Sequence, residues 1–136
     1  MIRHATAIWQ GAGKDGKGTL STQSTVLDKT QYSYNSRFEQ GPGTNPEELI
    51  AAAHAGCFSM KLAFVLQEGG FVADEIETRC EVTLENGAIT KSHLTLKARI
   101  PGISREKFEE SAKNAKENCP ISKSLTASIS MDASLG

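Results

Sequence analysis

From Leu49 to Leu66 apolar side chains fall on almost every face of a helical wheel, broken only by His54, Ser59 and Lys61 among polar groups. Thr44 is placed to cap this run, Pro46 lies in its first turn, and Glu47 follows the cap at capping-box spacing. Gly69-Gly70 ends it. The pattern predicts one long helix of about 25 residues, apolar all round and therefore buried all round as the central core element. Glu47 and Glu48 at its start and the interior polar residues leave an uninterrupted apolar length short of the ~20 residues a bilayer needs, so no membrane span is expected.

Strand patterning flanks this helix. Residues 3 to 10 and 19 to 27 are β-compatible runs joined by the turn-rich segment Gly11 to Gly18, a predicted hairpin. Its second arm is almost wholly polar, so the hairpin buries little by itself and calls for support from a partner surface. Tyr32, Tyr34 and Phe38 alternate against Arg37, which predicts a third strand, and the turn 40 to 43 leads into the long helix. Beyond it, Ile76, Thr78, Cys80, Val82 and Leu84 alternate with polar neighbours up to Asn86-Gly87, a strong hairpin signal. Leu94, Leu96, Ala98 and Ile100 alternate on the return strand. Ser104 caps a second helix whose stripe is Phe108, Ala112, Ala115 and Cys119; Pro120 interrupts it, and residues 121 to 125 form a short further turn. Leu125, Ala127, Ile129, Met131 and Ala133 alternate in a last strand. The order predicts an α+β fold, helices packed on antiparallel sheet, in a single domain over residues 1–136.

Charge narrows the function classes. Fifteen basic and sixteen acidic residues leave a net charge of −1 without a basic run, which argues against nucleic acid as a partner. The first residues lack the apolar stretch of a signal peptide, and a cytoplasmic location is expected. Three cysteines, Cys57, Cys80 and Cys119, are an odd number, which disfavours a disulfide framework and makes individual thiol chemistry plausible.

Cys80 sits on the inward side of its strand and reads as core packing. Cys57 shares a stripe with Ile50, Ala53 and Phe64, so both packing and chemistry account for it. Cys119 also points inward, 62 positions away on another helix. A buried thiol reacts only where a cation stabilises the thiolate, and Cys57 lies beyond the reach of the helix dipole. Lys61 is one turn away; Arg37 is the better candidate, because a guanidinium stays charged when desolvated and can hold a carboxylate at the same time. A metal site from His54, Cys57 and Cys119 is a weaker alternative. Lys61, Lys91 and Lys97 read otherwise as solvated charges, and His4 and His93 have no evident partners.

Arg37-Phe-Glu, Gly43 to Leu49, Ala52 to Met60 around Cys57, and Asn118-Cys119-Pro-Ile-Ser together resemble the OsmC/Ohr family of organic hydroperoxide reductases, the OsmC branch in particular, over essentially the whole chain. The resemblance implies an OsmC-like fold, antiparallel sheets around the long helix with a second helix, in an intertwined homodimer with two sites near the subunit interface. It implies that Cys57 is the peroxidatic thiolate, Cys119 the resolving thiol, Arg37 the activating cation and Glu47 its anchor, with Cys80 structural. It implies no metal and no bound cofactor, an organic hydroperoxide substrate, and an external dithiol reductant such as a lipoylated protein. Without it, Glu47 reads as part of the capping box and Arg37 as a solvated strand residue.

The chemistry is consistent: a thiolate attacks ROOH, an alcohol leaves, and the sulfenic acid condenses with a nearby thiol. Ile50, Phe58, Met60 or Phe64 would line an apolar pocket favouring organic peroxides. Ten helical residues separate Glu47 from Cys57 by about 15 Å along the axis. Arg37 is therefore expected to reach Cys57 across the dimer interface. A non-enzymatic thiol redox sensor, or a dimer binding small hydrophobic ligands, remains the alternative.

Overall fold

The computed structural model describes residues Met1–Gly136. Strands β1 (Ala5–Gln10), β2 (Lys17–Thr22) and β3 (Thr30–Tyr32) come first, then helices α1 (Tyr34–Phe38) and α2 (Pro46–Glu68). Strands β4 (Glu75–Glu85) and β5 (Ala88–Arg99), helices α3 (Arg105–Asn118) and α4 (Pro120–Ser124), and strand β6 (Ser128–Leu135) follow. The chain forms two compact units, residues 1–49 and 50–136.

In the first unit β2 pairs antiparallel with both β1 and β3. The register sets Gly18 between Trp9 and Tyr32, whose ring centroids are 5.4 Å apart. A Cβ on Gly18 would stand 2.5 Å from both rings, so only glycine lets them close over the middle strand. All six residues of β1 are exposed, as expected of a hairpin with little apolar material. The expected strand over Tyr32 to Phe38 is corrected: β3 stops at Tyr32 and one helical turn, α1, follows. Ser33 and Ser36 cap each other, with Ser33 Oγ accepting from the Ser36 amide at 3.2 Å and Ser36 Oγ from the Ser33 amide at 2.8 Å. Tyr34 and Phe38, four apart, then stack at 5.0 Å between centroids. Local capping and an i,i+4 ring pair outweigh the short alternation.

The start of α2 differs by one residue from expectation. Asn45, not Thr44, is the cap: its Oδ1 accepts from the Glu48 amide at 2.8 Å, with Pro46 at the first helical position. Thr44 Oγ1 instead donates to the Glu48 carboxylate at 2.6 Å. The cap roles therefore fall to Asn45 and Glu48, and the Glu47 carboxylate is free of them.

In the second unit β4 and β5 form the expected antiparallel hairpin, turned by Asn86 and Gly87, both at positive φ. β6 pairs with β5 in parallel, from Lys91↔Ser128 to Ala98↔Leu135. The expectation of a wholly antiparallel sheet is corrected to a mixed one: α3 and α4 form the crossover that a parallel pair requires. The core joins Phe58, Leu62 and Leu66 of α2, Leu94, Leu96 and Ala98 of β5 with the following Ile100, and the α3 stripe Phe108, Ala112, Ala115 continued by Cys119. The β5 and α3 positions, with Ile100 and Cys119, are the inward ones that the periodicities predict.

α2 itself is not buried all round. Its buried positions are the i,i+4 stripe His54, Phe58, Leu62 and Leu66. Met60 and Phe64 on other faces are 65% and 57% exposed. By length and composition alone the helix could cross a bilayer, yet this stripe lies in the core of a sheet-and-helix layer.

Candidate active site

Cys57 lies beside Phe58 on α2, half-buried at the edge of the core. Cys119 ends the apolar stripe of α3, fully buried. Its backbone leaves the helix at φ −63° and ψ 131°, and it serves at once as C-cap of α3 and N-cap of α4. Pro120, which cannot extend α3 but suits the first turn of a new helix, fixes this break. The break turns Cys119 toward α2, where its thiol neighbours that of Cys57; both are free thiols.

The surroundings act on Cys57 in opposite directions. Burial raises its pKa above the ordinary thiol value, and this effect is the largest. The Ile121 backbone lowers it, the neighbouring Cys119 raises it, and the positive charge of Lys61 lowers it. Burial prevails. The Ser122 N–H donates to the Cys119 sulfur at 3.5 Å.

Behind the thiols lies a buried polar chain. His54 is fully buried, with Nε2 2.8 Å from Ser122 Oγ and Nδ1 2.7 Å from Ser92 Oγ of β5. Ser92 Oγ is also 3.1 Å from the Cys80 sulfur, itself 3.8 Å from His54 Nδ1. Burial lowers the His54 pKa and keeps the imidazole neutral at neutral pH. Burial raises the Cys80 pKa, against the Ser92 hydrogen bond. Both His54 nitrogens are committed to hydroxyls, which removes the histidine from the His54, Cys57, Cys119 metal alternative.

Arg37 and Glu47 form a pair within the first unit. Arg37 Nε donates to Glu47 Oε1 at 3.0 Å and Nη2 to Oε2 at 3.2 Å, a bidentate arrangement with the carboxylate 13% exposed and the guanidinium 40%. The guanidinium also lies 5.0 Å above the Phe38 ring. It borders a cavity of about 500 Å³ with Trp9, Tyr32, Tyr34, Phe38 and Lys14.

The four residues singled out from the sequence thus form two pairs, Cys57 with Cys119 in the second unit and Arg37 with Glu47 in the first. The apolar pocket expected from Ile50, Phe58, Met60 and Phe64 does not form on one face of α2, since Phe58 is wholly buried in the core while Met60 and Phe64 point outward. Sequence reasoning missed the His54 partners, although a histidine amid an apolar run was itself a signal. It also missed those of His93: Nδ1 lies 2.6 Å from Ser130 Oγ and Nε2 3.1 Å from Asp132 Oδ2, across the parallel pairing.

The sequence profile described as OsmC-like protein matches residues 39–134. Peroxiredoxin OsmC of Escherichia coli is 47% identical over 133 residues, covering 95% of this chain and 93% of that one. The organic hydroperoxide resistance protein OhrB of Bacillus subtilis is 32% identical over 120 residues, covering 87% and 88%. Its crystal structure superposes with a TM-score of 0.65 over 98% of both chains. An OsmC-like protein from Mycoplasma pneumoniae, only 12% identical, has a TM-score of 0.78 over 99% of this chain and 97% of that one, which shows a shared fold. Profile, relatives and fold coincide over the segments that carry the two cysteines, and the chain belongs to the OsmC-like protein family.

Proposed function

We propose that this protein is a thiol-dependent peroxidase that reduces organic hydroperoxides, and hydrogen peroxide more weakly, to alcohols or water. The observation that carries the proposal is the proximity of two free thiols, Cys57 and Cys119, from positions 62 residues apart on α2 and the α3–α4 junction. The names of the E. coli and B. subtilis relatives, a peroxiredoxin and a hydroperoxide resistance protein, support it.

In the proposed cycle the Cys57 thiolate attacks the distal oxygen of ROOH. The O–O bond breaks, the alkoxide takes a proton and leaves as alcohol, and Cys57 becomes a sulfenic acid. Cys119 then condenses with it to form a disulfide and water. An external dithiol of lipoyl type reduces the disulfide by exchange, so the chain needs no bound cofactor. Arg37, held by Glu47, is the cation that stabilises the Cys57 thiolate and the departing alkoxide. A second copy of the chain is proposed to cover the exposed apolar residues of α2 and to bring its Arg37 to Cys57. The proposed location is the cytoplasm.

The competing reading is a thiol redox sensor or a ligand-binding dimer. It draws on the raised Cys57 pKa, which slows the first attack. Turnover of a bulky organic hydroperoxide and of hydrogen peroxide, each with a dithiol and a monothiol, separates the two. Wild type is expected to cycle on the dithiol and prefer the organic substrate. Cys57→Ser is expected to be inactive, and Cys119→Ser to accumulate overoxidised Cys57. A wild-type protein that oxidises once and stops with every reductant leaves the sensor reading in place.

A further inference from the structure

His54 and Cys57 are three residues apart on α2, and Cys119 and Ser122 are three residues apart across the start of α4. The two pairs face each other in matching order. The Cys119 thiol neighbours that of Cys57 on one rung, and His54 Nε2 lies 2.8 Å from Ser122 Oγ on the other. The remaining ring nitrogen is tied to Ser92 of β5 at 2.7 Å, so the fully buried imidazole cannot rotate without losing both bonds. A neutral imidazole, one nitrogen donating and the other accepting, bridges two hydroxyls in either tautomer.

The turn that carries Cys119 is anchored to α3 and the core through Cys119 and Ile121, and the His54–Ser122 hydrogen bond ties it to α2. α4 is five residues long, and its proline lacks an amide donor. The Ser122 amide donates to the Cys119 sulfur at 3.5 Å, which links Ser122 to the thiol within the turn. The geometry points to His54 as a positioning residue for disulfide closure: through Ser122 it keeps the Cys119 turn in register with α2, so that the Cys119 sulfur stays opposed to Cys57. The role rests on the peroxidase reading above. In the step concerned, the Cys119 sulfur attacks the sulfur of the Cys57 sulfenic acid. An S–S bond forms, the S–O bond breaks, and the departing hydroxide leaves as water with the proton that Cys119 gives up. The sulfenic acid is itself the oxidant, and no other is needed.

The test is a single-turnover experiment on reduced protein with a bulky organic hydroperoxide, followed by quenching and intact mass. It measures sulfenic acid formation, disulfide closure and sulfinic acid separately. Ser122→Ala and His54→Leu are expected to slow closure about tenfold or more relative to sulfenic acid formation, and to raise the sulfinic fraction in excess peroxide. His54→Gln keeps a donor and an acceptor and is expected to recover much of the closure rate. Closure within about twofold of wild type in folded Ser122→Ala overturns the role, as does equal slowing of both steps in all three variants. Repeating closure with a small-molecule disulfide as oxidant separates this inference from the peroxidase reading. The mixed disulfide at Cys57 must also be resolved by Cys119, so the variants slow that closure even if wild type ignores hydroperoxides.

Discussion

Cys57 sits where its reactive form is disfavoured. Burial raises its pKa, and only the Ile121 backbone and the Lys61 charge act the other way. In Arg37→Ala, which removes the cation proposed to come from the second copy, the Cys57 alkylation rate should therefore climb with pH past the ordinary thiol range. Lys61→Met should move the midpoint further up while Lys61→Arg leaves it in place; a midpoint unmoved in Lys61→Met would remove that charge from the account. His54 has the opposite linkage. Burial holds its pKa below the ordinary 6.5, so the unfolded chain takes up more protons at this position as the pH falls. The contribution to stability is complete above about 6.5 and is lost as pH falls toward the folded value. His54→Gln should flatten the dependence of the urea midpoint on pH between about 7 and 5. The inward direction of Cys119 was legible in the α3 stripe, whereas its pairing with Cys57 came from the family resemblance. The serines on His54 were not legible, lying 38 and 68 positions away where no local period relates them.

The elements show where local rules compete. Asparagine caps α2 although the preceding threonine is also a good cap, because Pro46 is preorganised for the first helical position and fixes the cap one residue before it. Asn45→Ala should cost about 1 kcal/mol in urea unfolding and Thr44→Ala less. That one-residue shift also leaves Glu47 free for Arg37, which settles how a glutamate in a capping segment can serve a second partner. The turn α1 was hidden because two aromatics four apart fit either a strand with one gap or a helical face, and the serine caps decide it. The direction of β6 was hidden for a different reason. Alternation has period two in parallel and antiparallel strands alike, and the crossover helices alone distinguish them.

For the molecule as a whole, the apolar patterning located the core of residues 50–136 but overstated the burial of α2. A helix apolar on every face is buried on one side by its own chain, and the sequence cannot say what covers the rest. With Met60 and Phe64 exposed, a second copy predicts a melting temperature that rises with protein concentration and a mass in sedimentation near twice that of one chain. Phe64→Lys should shift both toward the monomer; a wild-type monomer at every concentration would end the dimer proposal. The stack of Trp9 on Tyr32 across Gly18 has an optical consequence. The chain has one tryptophan and two tyrosines, and all three lie within residues 1–49. Absorbance near 280 nm and tryptophan emission therefore report on the first unit alone, while the thiols reside in a unit whose only aromatic rings are phenylalanine and histidine. Peroxide that alters sulfur alone is optically silent, so any change in Trp9 emission on oxidation would mean that the event at Cys57 had been transmitted to the hairpin.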